Sequence, residues 1–523
     1  MFRSLSLFTF TFALMLSALA EISAPGAYQE PIPQKALQNA WNTPIAQHDV
    51  ARYLGVPART TEFTMFAGLN EALKNRPSFE NKMLQIAEGF AVELSGAELF
   101  GPPLAEEDRY AHRAIISSMD AHALRLQTDL SELGTDAELF VIDPVLPRAF
   151  GPYTAADAHE DGYWLPTTEG EWAMVLVRTR SDAPPSVRLT TIAHFYRGFD
   201  EFLKQLACNI NIACEDNPAV LDIASGVGML VVPGTFGDQG LCTSTLINNP
   251  DTPENEPYVL TANHCVPGGV SANNVDVIWD FRATSCGVNN PPALSSLPRS
   301  SGALVLTTNG DLDMTLMELD GVPGGIYGRF YAGWTTRPVS AGEAITGIHH
   351  PRASHMRISY GDILASNVSG GGYRNQIEVL WSEGVTEPGS SGLGLLLDSD
   401  GYLIIGTLSY GPLHSCGPSA FNTDRFAAFR FFFPQAQGFL TGTEKPDPDD
   451  PGRRPCPAEV AFKDQPEVLG QLRFFRDAGL AQTPLGKRFI ELYYRLAPTL
   501  SKHLERSPES AAAFRGLVFA LLP

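Results

Sequence analysis

Basic residues are scarce in this chain. It carries 37 Lys and Arg against 58 Asp and Glu in 523 residues, a formal net charge of −21. Binding to a phosphate backbone needs a basic surface, so the balance argues against nucleic-acid partners. Charged residues make up only 18% of the chain and hydrophobic ones 44%, a globular rather than a disordered composition. Beyond residue 20 no apolar run is long enough to span a bilayer. Hydrophobic heptads and internal repeats are missing, which leaves no coiled coil or solenoid. No C-x-x-C pair occurs, which argues against a zinc site, and neither metal nor cofactor is expected.

The first twenty residues are MFRSLSLFTFTFALMLSALA. Arg3 precedes an apolar core from Leu5 to Leu16, and Ala18-Leu19-Ala20 has the small-x-small form of a cleaved leader. The expectation is a secreted protein, extracellular or periplasmic, cut after Ala20. Seven cysteines suit an oxidising compartment. Six lie between Cys208 and Cys416, and Cys456 stands apart. Six cysteines allow about fifteen pairings, which spacing alone does not resolve.

Forty-seven glycines and forty prolines suit a loop-rich β protein. Residues 21–204 carry no catalytic signature. Glu62 to Leu99 mixes helical and irregular patterns. From Ala137 onward short β runs follow (ELFVIDP, GYWLPTT, EWAMVLVRT, SVRLTTIAHFY), as in a small β-sandwich. Residues 205–442 hold a dense series of short apolar runs between turn clusters, the pattern of two packed antiparallel barrels. Residues 443–457 form a Pro- and Asp-rich linker, extended because proline fixes φ and like charges repel. Residues 458–523 place apolar groups three and four apart, as helices do.

Three segments carry chemistry. LTANHC supplies His264, DMTLMEL supplies Asp313, and TEPGSSG supplies Ser391. A serine hydroxyl is a poor nucleophile until a base removes its proton, and imidazole titrates near neutrality. An Asp on the second ring nitrogen fixes the tautomer and stabilises the imidazolium. Asp311 is the alternative acid and Ser390 the alternative nucleophile. The chain order His, Asp, Ser is that of two-barrel trypsin-like enzymes. His349 and His350 sit side by side in GIHHP. Neighbours on a strand point to opposite faces, so they do not chelate one metal and are taken as structural.

LTANHC, WDFRATSC, DMTLMEL, YAGWTTR, GIHHP with RIS, and VTEPGSSG together resemble the lysyl endopeptidase branch of secreted bacterial trypsin-like serine proteases, over about residues 205–435. The resemblance implies a mainly β fold, with a double antiparallel β-barrel after a β-rich pro-region that assists folding and holds the enzyme inactive. It selects Asp313, Ser391 and an oxyanion hole of the Gly389 and Ser391 N–H groups. It pairs Cys208 with Cys416, Cys214 with Cys286, and Cys242 with Cys265. Ser409, Tyr410 and Gly411 match an edge strand that receives extended substrate, with Ser409 supporting Asp313. Val385 stands where trypsin has its pocket acid. Asp424 takes that role by the lysyl endopeptidase pattern, implying cleavage after Lys or Arg. Leu393 departs from the family's small residue after the nucleophile glycine. Self-processing is expected after Lys204, with Arg197 as the alternative, and at Arg453 or Arg454 in the linker. The last 66 residues resemble the CFI-box C-terminal domain, although Cys456 is followed by Pro457 and Ala458. The partners expected are peptide or protein substrates, bound by a monomer. The rival readings are a trypsin-fold protease of different P1 preference and a catalytically dead binding homologue.

Overall fold

The computed structural model describes residues 21–29, 47–63, 69–74, 83–145, 147–159, 162–197, 206–234, 237–249, 256–266, 272–323, 329–417, 421–442 and 514–515. Residues up to Glu444 form one compact unit and Lys445–Pro523 a second. The expected leader, Lys204, the arginines of residues 443–457, Cys456 and nearly all of the C-terminal helical pattern lie outside the described residues. No described helix is long and apolar enough to cross a membrane.

The protein is mainly β. Six strands in the second half close a ring: Ala344–His349, Arg357–Gly370, Tyr373–Glu383, Thr423–Ala428, Leu403–Tyr410 and Gly394–Leu397, each antiparallel to the next. Closure removes free edges. Alternate side chains point inward, and Ile345, Val379, Trp381, Leu395, Leu408 and Phe426 fill the interior. Leu393 is fully buried in this core, so it packs inward.

A second barrel is built from Val227–Pro233, Gln239–Leu246, Tyr258–Thr261 and Met314–Leu319, with Ala303–Asn309 on one side and Asp276–Ile278 and Arg299–Ser301 on the other. One core cluster takes residues from both barrels, including Leu260, Leu316, Ile348 and Leu396. The helix Phe429–Leu440 closes it with Phe429, Phe432, Phe433, Ala436 and Leu440. That spacing is one helical face, and Phe429 and Phe433 lie 5.6 and 5.0 Å from the Trp334 ring.

The N-terminal region is a two-sheet sandwich. One sheet holds Ala123–Asp129, Arg188–Phe195 and Leu84–Ser95, the other Tyr110–Ser118, Trp172–Thr179 and Glu138–Asp143. Ile116, Leu126, Val141, Val175 and Ile192 meet between them. Leu84–Ser95 is a twelve-residue strand, where the sequence pattern pointed to mixed helical and irregular structure. Glu88 and Gly89 interrupt its alternation, and its pairing to two neighbouring strands overrides local preference. That strand also pairs with Gln239–Leu241, so the sandwich sheet runs on into the first barrel. Arg125 pins the junction. Fully buried, it donates to Leu165 O, Gln239 Oε1 and Asn274 O at 3.0, 3.0 and 2.8 Å. Residues 21–29 reach the second half of the chain, where Ser23 and Ala24 pair with Thr335 and Trp334.

Candidate active site

The His264 segment begins where Tyr258–Thr261 ends. One tight turn, Asn263–Cys265, follows, and a disulfide joins Cys265 to Cys242 on the next strand. Asp313 ends the turn after Ala303–Asn309. It holds φ at 69°, a conformation Asp tolerates better than most residues. Its backbone N–H donates to Asn309 O at 2.8 Å. The carboxylate is fully buried and receives two bonds from one residue. The His264 backbone N–H donates to Oδ1, and Nδ1 lies against Oδ2, both at 2.8 Å. An ionised carboxylate only accepts, so the Nδ1 proton points at Asp313 and Nε2 carries the lone pair. The Asp313 charge also helps burial push the Tyr373 hydroxyl up to about 12.

The Ser391 turn is pressed against the same strand ends. Gly392 holds φ at 83°, and a Cβ there would lie 2.2 Å from Thr261 Oγ1 and 2.9 Å from Ala262 N. Only glycine fits. Thr243, beside the bridged Cys242, donates its N–H to Ser391 O at 2.8 Å and its hydroxyl to Gly389 O at 3.0 Å. Gly389 holds φ at 100° against His350 O. The N–H groups of Gly389 and Ser391 have no acceptor among the described residues. His264 Nε2 and Ser391 Oγ are both buried, and neither has a hydrogen-bond partner there.

The alternatives are occupied elsewhere. Asp311 is half exposed and ion-paired to Arg374. Ser390 Oγ is held by His349 Nδ1 at 2.7 Å, and His349 Nε2 meets Ser359 Oγ at 3.0 Å. His350 stacks on Phe281, and burial lowers its pKa from 6.5 to about 4. His349 therefore braces the turn through Ser390, while the His350 ring holds Ser354 O at 3.0 Å. Ser409 does not support Asp313. Its hydroxyl has no hydrogen-bond partner among the described residues, Asp313 included. Tyr410 leans on Tyr373, their rings 5.8 Å apart, beneath the tight turn at Gly371. Gly411 follows it, half-buried.

Asp424 is fully buried on Thr423–Ala428. Its Oδ2 accepts from Trp381 Nε1 at 2.7 Å and from the Thr386 hydroxyl. Val385, also buried, packs in the barrel core. Disulfides join Cys208 to Cys416 and Cys214 to Cys286. Cys242, His264 and Cys265 place donor atoms within 4.8 Å of one another. Two of those sulfurs share a disulfide, however, and are not thiolate ligands.

Sequence reasoning missed several residues here. Thr243 holds the Ser391 turn, and Trp381 and Thr386 hold Asp424. Glu387 accepts from Leu206 N at 2.8 Å and Asn209 Nδ2 at 2.7 Å, and burial raises its pKa. An acid inside a turn of otherwise small residues was the available signal for Glu387.

Residues 204–427 match the family described as lysyl endopeptidase, C-terminal domain. A lysyl endopeptidase of Pseudomonas aeruginosa is 30% identical over 296 residues, covering 53% of this chain and 63% of that protein. The match thus spans less than two thirds of that relative, and over it the chain resembles the lysyl endopeptidases. Among solved structures, the HtrA-type protease AlgW with tripeptide aligns with 43% of this chain and 64% of its own, at 15% identity and a TM-score of 0.30. The active form of the Rv3671c protease from M. tuberculosis aligns with 47% and 92%, at 17% identity and a TM-score of 0.30. Likeness that distant does not bear on the chemistry.

Proposed function

We propose that this protein is a secreted serine endopeptidase, made as a precursor, that hydrolyses peptide bonds after basic residues. The observation that carries this is the doubly bonded His264–Asp313 pair, whose buried and unpartnered Nε2 lies on a segment adjoining the buried, unpartnered Ser391 hydroxyl. In the proposed reaction His264 Nε2 takes the Ser391 proton as Oγ attacks the scissile carbonyl. The oxyanion is received by the N–H groups of Gly389 and Ser391, each worth about 3 to 4 kcal/mol of barrier. His264 then protonates the leaving amine, and a water repeats the sequence on the acyl-enzyme. Cleavage after a basic residue rests on Asp424, whose buried carboxylate favours a cation. Residues 21–204 are read as the pro-region, 205–442 as the protease, and Lys204–Gln205 as the bond cut between them.

The test is Ser391→Ala. The variant should secrete and fold, lose reaction with a serine-directed organophosphate, and lose about four to six orders of magnitude in kcat. Retained activity, with Ser390→Ala inactive, would overturn the assignment. A second reading, a different P1 preference, is favoured by one observation: Asp424 already has protein donors on Oδ2. Peptide-library cleavage separates the two.

A further inference from the structure

The other oxygen of Asp424 is also approached. His414 Nε2 lies 3.1 Å from Oδ1, and both side chains are fully buried. The approach is within ion-pair reach, yet neither His414 ring nitrogen has an aligned hydrogen-bond partner among the described residues. A buried imidazole in that state is poorly satisfied, since both nitrogens normally donate or accept. It hangs from residues 411–417, which have no regular structure. Next to it Leu413 is 86% exposed. Two residues on, Cys416 is tethered to Cys208. A cleft of about 290 Å³, lined by Cys208, Val385, Gly417 and Asn422 among others, adjoins the segment. Among the described residues His414 also influences the Glu387 carboxyl, which Arg352 faces at 3.7 Å.

On Asp424 Oδ1 the His414 ring takes one approach at 3.1 Å. Oδ2 is held by Trp381 and Thr386, on the barrel wall. We propose that His414 is a specificity-determining plug. Its imidazole occupies, on Asp424 Oδ1, the position that the ammonium of a basic P1 side chain takes, and substrate entry exchanges one for the other. The inference rests on reading Asp424 as the pocket base. An ammonium brings three donors to an oxygen that the ring approaches with one misaligned nitrogen. A neutral P1 side chain offers no such replacement, so the exchange itself selects for a cation. The ring then swings out with a loop already exposed on either side.

The probe is n-butylamine, a mimic of the lysine side chain, used as a competitive inhibitor of the secreted enzyme on a Lys-containing peptide p-nitroanilide. His414→Gly should lower its inhibition constant at least tenfold. The same change should lower KM for the Lys substrate and leave kcat nearly as it was, and added imidazole should raise both constants again. His414→Asn, too short to reach Oδ1, should act in the same direction. In the unaltered enzyme, saturating n-butylamine should increase labelling of His414 by diethylpyrocarbonate, a readout that needs no variant to fold. Asp424→Asn should abolish n-butylamine inhibition in both backgrounds. If Asp424→Asn abolishes it while His414→Gly and His414→Asn stay within twofold and labelling is unchanged, the plug is wrong and the pocket stands. If Asp424→Asn leaves n-butylamine inhibition intact, the pocket reading fails and the plug with it.

Discussion

Asp313→Asn changes a single group in a buried side chain, and the hydrogen bonds around it set the cost. Asp313 Oδ1 accepts the His264 backbone N–H and Oδ2 accepts from Nδ1, each at 2.8 Å. Asparagine keeps one acceptor. The backbone N–H cannot become anything but a donor, so the amide oxygen turns to it. The amide NH2 then faces Nδ1, which must accept. The ring proton moves to Nε2, the atom that should take the serine proton. An imidazole held in the wrong tautomer costs roughly 10⁴ in kcat, or about 5 kcal/mol. The fold should survive, because φ of 69° at this position suits Asn as well as Asp. The assay is kcat on a Lys peptide p-nitroanilide, with thermal unfolding as the control. Asp311→Asn should change kcat less than about twofold, since its exposed pair with Arg374 contributes little. A folded Asp313→Asn enzyme within tenfold of normal kcat would refute the tautomer reasoning.

Two further outcomes concern stability. Arg125→Ala in a Ser391→Ala background, which prevents self-digestion, should lower unfolding free energy by about 3 to 5 kcal/mol in urea, because three buried acceptors lose their donor. Arg125→Lys should recover only part of that, since an ammonium cannot span all three sites. The second is acid lability. Burial holds His350 neutral in the fold, its pKa near 4 against 6.5 unfolded. The unfolded chain therefore binds the extra proton first. Stability is full above pH 6.5 and falls until about pH 4, by roughly 3 kcal/mol from this residue. Melting temperature against pH should show that slope, to which His194 and His355 add because burial lowers their pKa values too, and His350→Gln should make it shallower.

The three segments of the proposed triad stood out in the sequence because acyl transfer demands particular residue types, and the structure brings His264 and Asp313 into contact. Leu393 was legible as a departure but not in its consequence, which depends on which way one strand faces. The strand Leu84–Ser95 was not legible, since Glu88 and Gly89 break its alternation and its pairing partners lie far away in sequence. Residues 23–24 and 27–29 form strands too short to show any period. Trp381, Thr386 and His414 surround Asp424 from separate segments, and only the closed barrel brings those segments together.

One strand, Gln239–Leu246, links these observations. Its first residues pair with Leu84–Ala87 of the sandwich, and Gln239 receives Arg125. Cys242 is bridged to Cys265, next to His264. Thr243 holds the carbonyls of Gly389 and Ser391. Side chains on a strand alternate between faces, so a slip of one residue would turn Cys242 away from Cys265 and bring another residue to the place of Thr243. The His264 and Ser391 segments are therefore both positioned by the register of a single strand. The sandwich grips that strand at the end nearest Gln239, and the barrel neighbours Val227–Pro233 and Tyr258–Thr261 grip it along its length. Contacts far from the chemistry, Arg125 foremost, thus bear on the geometry of a site they do not touch.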